Sequence, residues 1–183
     1  MARRIVSINR APVLTLWATI VARRLGFRKD EALTLGKAVA GLNAQSKGRR
    51  LGIFKPHETK PKEARKQKRD EHFLIEICGR SVPVINTEDG IRATAKNHPI
   101  DPRSVERYLE NKFGDALASV EEALQKLAKA YKPKELAERA YSLYEQFRPA
   151  IPSGKRGWGA SGDLDLELIK KLAEKPRQHE NEV

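Results

Sequence analysis

The chain has 183 residues, 39% of them hydrophobic and 33% charged, and carries a formal net charge of +12. That length suits one domain, or one domain with an appendage, and still leaves apolar residues enough for a core. A single cysteine, Cys78, excludes an internal disulfide framework and a cysteine-rich zinc site, and no segment approaches the ~18 apolar residues of a membrane-spanning helix.

Met1–Arg10 is basic and Ala11–Ala22 is apolar, which superficially resembles an export signal. Thr15 and Thr19 interrupt the run, Arg23 and Arg24 follow it directly, and the helical pattern continues beyond it. The expectation is therefore a cytoplasmic protein. Ala11–Gly26 reads as an amphipathic helix, with Pro12 in its first turn, Val13, Leu14, Trp17, Ile20, Val21 and Leu25 at helical spacing, and Gly26 as its stop. Asp30 offers an N-cap for a second helix with Leu33, Leu35, Ala38, Val39 and Leu42 on its apolar face. The short link predicts a helical hairpin over residues 1–46. The segment also has the spacing of a helix-turn-helix. Its second helix opens on Asp30 and Glu31, however, where phosphates would be repelled, so a structural role is the better reading.

Residues 47–71 break the pattern. Lys47, Arg49, Arg50, Lys55, Lys60, Lys62, Arg65, Lys66, Lys68 and Arg69 face only Glu58 and Glu63, a net +8 of the chain's +12 within 23 residues. With Gly48, Gly52, Pro56 and Pro61 interspersed and almost no apolar face, the segment reads as a basic arm or linker. Solubilising surfaces usually mix signs. A one-signed cluster instead attracts polyanions and gains affinity by releasing their counterions. Phe54 and His57 lie inside it, too few rings to argue single-strand specificity.

Phe73–Ile85 predicts a β-hairpin turning at Gly79-Arg80. Cys78 would then pair with Ser81, Ile77 with Val82 and Ile75 with Val84, putting Phe73, Ile75, Ile77, Val82 and Val84 on one face. Pro83 places the second strand at an edge or at a non-bonding position. Glu88-Asp89-Gly90 is a turn, and Ile91–Ala95 a short third strand. Helices then follow: one from the Asp101-Pro102 cap to Gly114, then Asp115–Tyr131, Pro133–Arg148 and Asp163–Ala173. Residues 72–173 thus read as a β-hairpin plus a C-terminal helical bundle, compact with residues 1–46, and 174–183 as a polar, frayed tail.

Before the last helix, Gly157, Gly159 and Gly162 spell G-x-G-x-x-G. A dinucleotide site needs a preceding strand and a following βα unit, and here Pro149 and Pro152 precede while Asp163, Asp165 and Glu167 would repel a pyrophosphate. No Gly-Lys-Ser/Thr ends the run, which excludes a P-loop. The same loop sets Lys155 and Arg156 beside Trp158, a ring flanked by cations, suited to stacking on a base or, alternatively, to packing back on the core. His57, His72, His98 and His179 have no metal-ligand spacing, Cys78 reads as an inert strand residue, and Glu106, Glu110, Glu121 and Glu122 as solvated helix exteriors. No cofactor is implied.

The sequence therefore predicts a mainly α protein that binds nucleic acid, DNA or RNA, through phosphate contacts of low sequence specificity, made by the arm and extended by Arg3, Arg4, Arg10, Lys155, Arg156 and Trp158. Two alternatives stand beside it. One is a small enzyme acting on an anionic substrate at the Gly154–Gly162 loop. The other is an assembly module, including a homo-oligomer, pairing through the β-hairpin edge or the first helix.

Overall fold

A helix enclosed on all sides organises the fold. A computed structural model describes residues 5–50, 72–151 and 161–181. In it α1 (Arg10–Arg24) is buried without a break from Pro12 to Ala22. It contacts α2 (Lys29–Arg50), α3 (Pro102–Phe113), α4 (Leu117–Lys129) and α5 (Pro133–Phe147). The expected amphipathic stripe is thus replaced by burial all round, as an enclosed central helix requires. Thr15 and Thr19 fit there because each hydroxyl donates to the carbonyl four residues back, at 2.9 and 2.7 Å. Trp17 has no exposed surface, donates its indole N–H to the Ala140 carbonyl at 2.9 Å and meets Phe147 edge-on at 5.3 Å.

Gly26, at φ +110, ends the first helical segment as expected. α2 begins two residues earlier than predicted, at Lys29 where an Asp30 cap would place the first helical residue at Glu31, so Asp30 lies in its first turn instead of at the N-cap. The irregularity expected from residue 47 is also displaced, since α2 continues to Arg50 and includes Lys47 and Arg49. Gly36 brings α1 and α2 together: a Cβ built there would lie 2.2 Å from Thr19 Oγ1 and 2.4 Å from the Thr15 carbonyl.

Where a hairpin and a possible third strand were expected, a four-stranded antiparallel sheet forms in the order β2 (His72–Ile77), β3 (Arg80–Thr87), β4 (Gly90–Ala95), β5 (His98–Pro99). The first turn is Cys78-Gly79, one residue earlier than predicted, with both residues at positive φ (51° and 75°), as a type I′ connection demands. Ile75 accordingly pairs with Val82 and Phe73 with Val84. Moving the turn by one residue moves the register by two, so the predicted apolar face survives. Pro83 sits just beyond the β3–β4 register, which covers Val84–Thr87, so its missing N–H falls where β3 pairs with β2 alone.

α2 fastens this sheet with side chains. Glu31 Oε2 accepts the Ile91 N–H at 2.9 Å, Thr34 Oγ1 accepts the Ala93 N–H at 3.0 Å, and Asp30 holds Arg92 at 2.9 Å. The start of α2 therefore faces β4 and offers no free face for reading DNA. A second sheet joins the ends of the described chain: β1 (Ile5–Asn9) runs antiparallel to β6 (Ser161–Asp165), with Ile8 opposite Gly162. It overturns two expectations. Gly162 is a strand residue that opens no helix, and Asp163–Asp165 are strand, so the last helix, α6 (Leu166–Asn181), starts three residues later and runs through most of the predicted tail. α3 to α5 follow the sequence closely: Asp101 caps α3 by accepting the Arg103 N–H, Val105, Leu109 and Phe113 are buried, and a short 3₁₀ turn at Gly114–Ala116 precedes α4. The fold is mainly α, with two antiparallel sheets.

Candidate nucleic-acid interface

Of the predicted contact residues, Lys47, Arg49 and Arg50 lie on the last turns of α2, whereas Lys55, Lys60, Lys62, Arg65, Lys66, Lys68 and Arg69, with Lys155, Arg156 and Trp158, lie outside the described residues, as do Arg3 and Arg4. What the fold adds is an arginine cluster drawn from three separate segments. Arg10 opens α1, Arg148 follows α5, and Arg80 starts β3.

Aromatic side chains hold the cluster together. Arg80 lies over the Tyr141 ring, 5.8 Å from guanidinium to centroid, and donates to the Asn43 side-chain oxygen at 2.8 Å. Tyr141 donates to the same oxygen at 3.0 Å and leans on Tyr144 at 5.8 Å. Tyr144 in turn donates to the Arg10 carbonyl at 3.4 Å, and Arg10 Nε to the Pro149 carbonyl at 2.9 Å. Burial, and then the neighbouring Arg148 charge, push Arg10 below the ordinary arginine pKa. Burial pushes the Tyr144 hydroxyl up, against the pull of Arg148 and Arg10. Among the described residues, none of the three arginines has a carboxylate within ion-pair distance. Three guanidiniums with no acid between them, half-buried beside a half-exposed ring, form a surface complementary to phosphate.

Its position matters as much as its charge. The described chain stops at Ile151 and resumes at Ser161, which pairs with Asn9, the neighbour of Arg10. Ala150 bridges to Asp163 beside them. Both attachment points of the segment carrying Lys155, Arg156 and Trp158 thus flank Arg10 and Arg148. Asn43, bonded to Arg80, lies about one turn, roughly 6 Å along the helix, before Lys47, where the basic arm begins within α2.

No single sequence signal marks Arg10, Arg80 and Arg148 as a group, because their proximity comes only from packing α5 and the Cys78-Gly79 turn beside the start of α1. Cys78 is closed off, 2% exposed, and desolvation pushes its thiol up to about 12. Glu106 and Glu110 are exposed, as expected of helix exteriors, and Glu121 is half-buried; all three line a cleft of about 750 Å³ between α1, α2, α3 and α4. No family model matches the chain, and neither does any curated protein or solved structure.

Proposed function

We propose that this protein binds nucleic acid by contacts to phosphate, with little sequence preference. The observation that carries the reading is the net +8 within residues 47–69. Such a segment gains affinity from counterion release whatever the base sequence. The cluster of Arg10, Arg80 and Arg148 supports it, because it adds cations with no ion pair among the described residues, and the Tyr141 ring, at the place from which both basic stretches leave the described fold. In its finer form the architecture is a helical hairpin and a C-terminal helical bundle that present this face from a cytoplasmic protein.

The test is a filter-binding salt titration against duplex DNA, single strands and structured RNA. Replacing the ten bases of 47–69 by glutamine should abolish binding at low salt and flatten the salt dependence. Unchanged binding would refute the proposal.

One observation favours assembly as a second reading. Among the described residues β2 pairs only with β3, and Leu74 on that strand is 66% exposed. Leu74→Lys should then leave the protein monomeric by light scattering where the parent chain associates. α1 offers no such surface, being enclosed within its own chain.

A further inference from the structure

We infer that the cleft between α1, α2, α3 and α4 is a binding site for a small amphipathic monoacid, a ligand with an apolar frame and one carboxylate, sulfonate or phosphate-ester group. At about 750 Å³ the cleft falls within the range of small-molecule sites. Leu16, Ile20, Leu33, Leu109 and Leu117 supply an apolar lining from four different helices.

Arg24 supplies the complement to the acid. It lines the cleft, and of its five N–H groups one donates to a described acceptor, the Tyr131 carbonyl at 3.0 Å. Its Nε is closed off from solvent and has no acceptor among the described residues. No carboxylate pairs with Arg24 among the described residues. An acid oxygen entering the cleft could accept from the Nη groups of Arg24 left without an acceptor among the described residues, and would displace no existing ion pair. Arg23 and Lys129 add positive charge to the lining.

The acids of the cleft set the ligand's charge. Lys29 holds Glu106 at 3.0 Å, whereas Glu110 and Glu121 have no ion-pair partner among the described residues. Two free carboxylates facing the same space repel a polyphosphate or a nucleic-acid strand, while a single acid group can lie against Arg24. The cleft is thereby distinct in chemistry from the arginine cluster, which pairs with no acid among the described residues.

Two fluorescent probes sharing one frame test this: anilinonaphthalene sulfonate, which carries a single anion, and its sulfonate-free parent, phenylnaphthylamine. The full chain should bind the sulfonate saturably, one per chain. Arg24→Gln should weaken the sulfonate roughly tenfold or more, the value of a hydrogen bond to a charged group, and leave the parent unchanged. Because Arg24 also supports the Tyr131 carbonyl, Gln125→Glu provides an independent variant at an exposed lining position, and should weaken the sulfonate alone. Absence of saturable binding, or equal affinity for the sulfonate in the parent chain and in Gln125→Glu, overturns the inference. A DNA fragment that competes with the sulfonate overturns it as well.

Discussion

Two glycines in α2 look alike in sequence and differ in what surrounds them. Around Gly36 a Cβ meets the Thr15 carbonyl at 2.4 Å and Thr19 Oγ1 at 2.2 Å, whereas Gly41 has nothing within 4 Å. Overpacking at a helix contact costs about 1–3 kcal/mol, while alanine for an exposed helical glycine gains about 1 kcal/mol. Gly36→Ala should therefore lower the midpoint of thermal unfolding and Gly41→Ala should raise it. Adding Thr19→Ala should not rescue Gly36→Ala fully, because the Thr15 carbonyl belongs to the backbone and stays in place. Cys78 is constrained twice, by burial and by a left-handed φ of 51°. A β-branched side chain is poorly accommodated there, so Cys78→Val should cost about 1–2 kcal/mol in denaturant titration. Burial raises the thiol from its ordinary 9.0 to about 12. The unfolded thiol ionises first as pH rises, so the stability this residue contributes is present below pH 9 and declines above it. A disulfide exchange reagent at pH 8 should leave Cys78 unmodified until the chain unfolds.

The join between α2 and β4 carries the pH dependence at the opposite end of the scale. Burial raises the pKa of Asp30, but the hydrogen bond and charge of Arg92 outweigh it and hold the carboxyl below its usual value. Burial likewise opposes ionisation of Glu31, and the Ile91 and Arg28 N–H groups it accepts bring it below its usual value. The unfolded chain then takes up protons first, so this stability is present above the ordinary carboxylate range and is lost as pH falls through and below it. Glu31→Gln should reduce stability near neutrality and make acid unfolding less steep, followed by circular dichroism between pH 6 and 2. This join also marks the border of what local pattern could reveal. Asp101-Pro102, Gly114 and Pro133 announce α3 to α5 because caps and helical spacing act within a few residues. The apolar face of β2 and β3 was equally legible, since alternation survives a shifted turn. β6 was not legible: Ser161–Asp165 has little strand preference and becomes a strand only by pairing with β1 from the far end of the chain. Nor could helical spacing tell that α1 is surrounded, because periodicity reports the apolar residues of a helix and not how many neighbours pack on it.

Across the whole molecule the charge divides into two populations. The arm's excess was visible in the sequence because its ten bases fall within one stretch of 23 residues, whereas Arg10, Arg80 and Arg148 meet only through the tertiary fold. If both populations neutralise phosphates, each removed contact should flatten the dependence of log affinity on log salt by about 0.9 for duplex DNA. Arg148 is the cleanest position on the folded side, because its guanidinium makes no hydrogen bond or ion pair among the described residues, whereas Arg10 holds Pro149 and Arg80 holds Asn43. Arg148→Gln should leave the unfolding midpoint nearly unchanged and reduce the slope by about one contact. Combined with glutamine at Lys55, Lys60 and Lys62, the slope changes should add, since phosphate contacts on a shared strand contribute independently to counterion release. A slope that falls with the arm substitutions alone, and stays fixed in Arg148→Gln, would confine phosphate binding to the arm and reduce the arginine cluster to its packing role around Tyr141 and Tyr144.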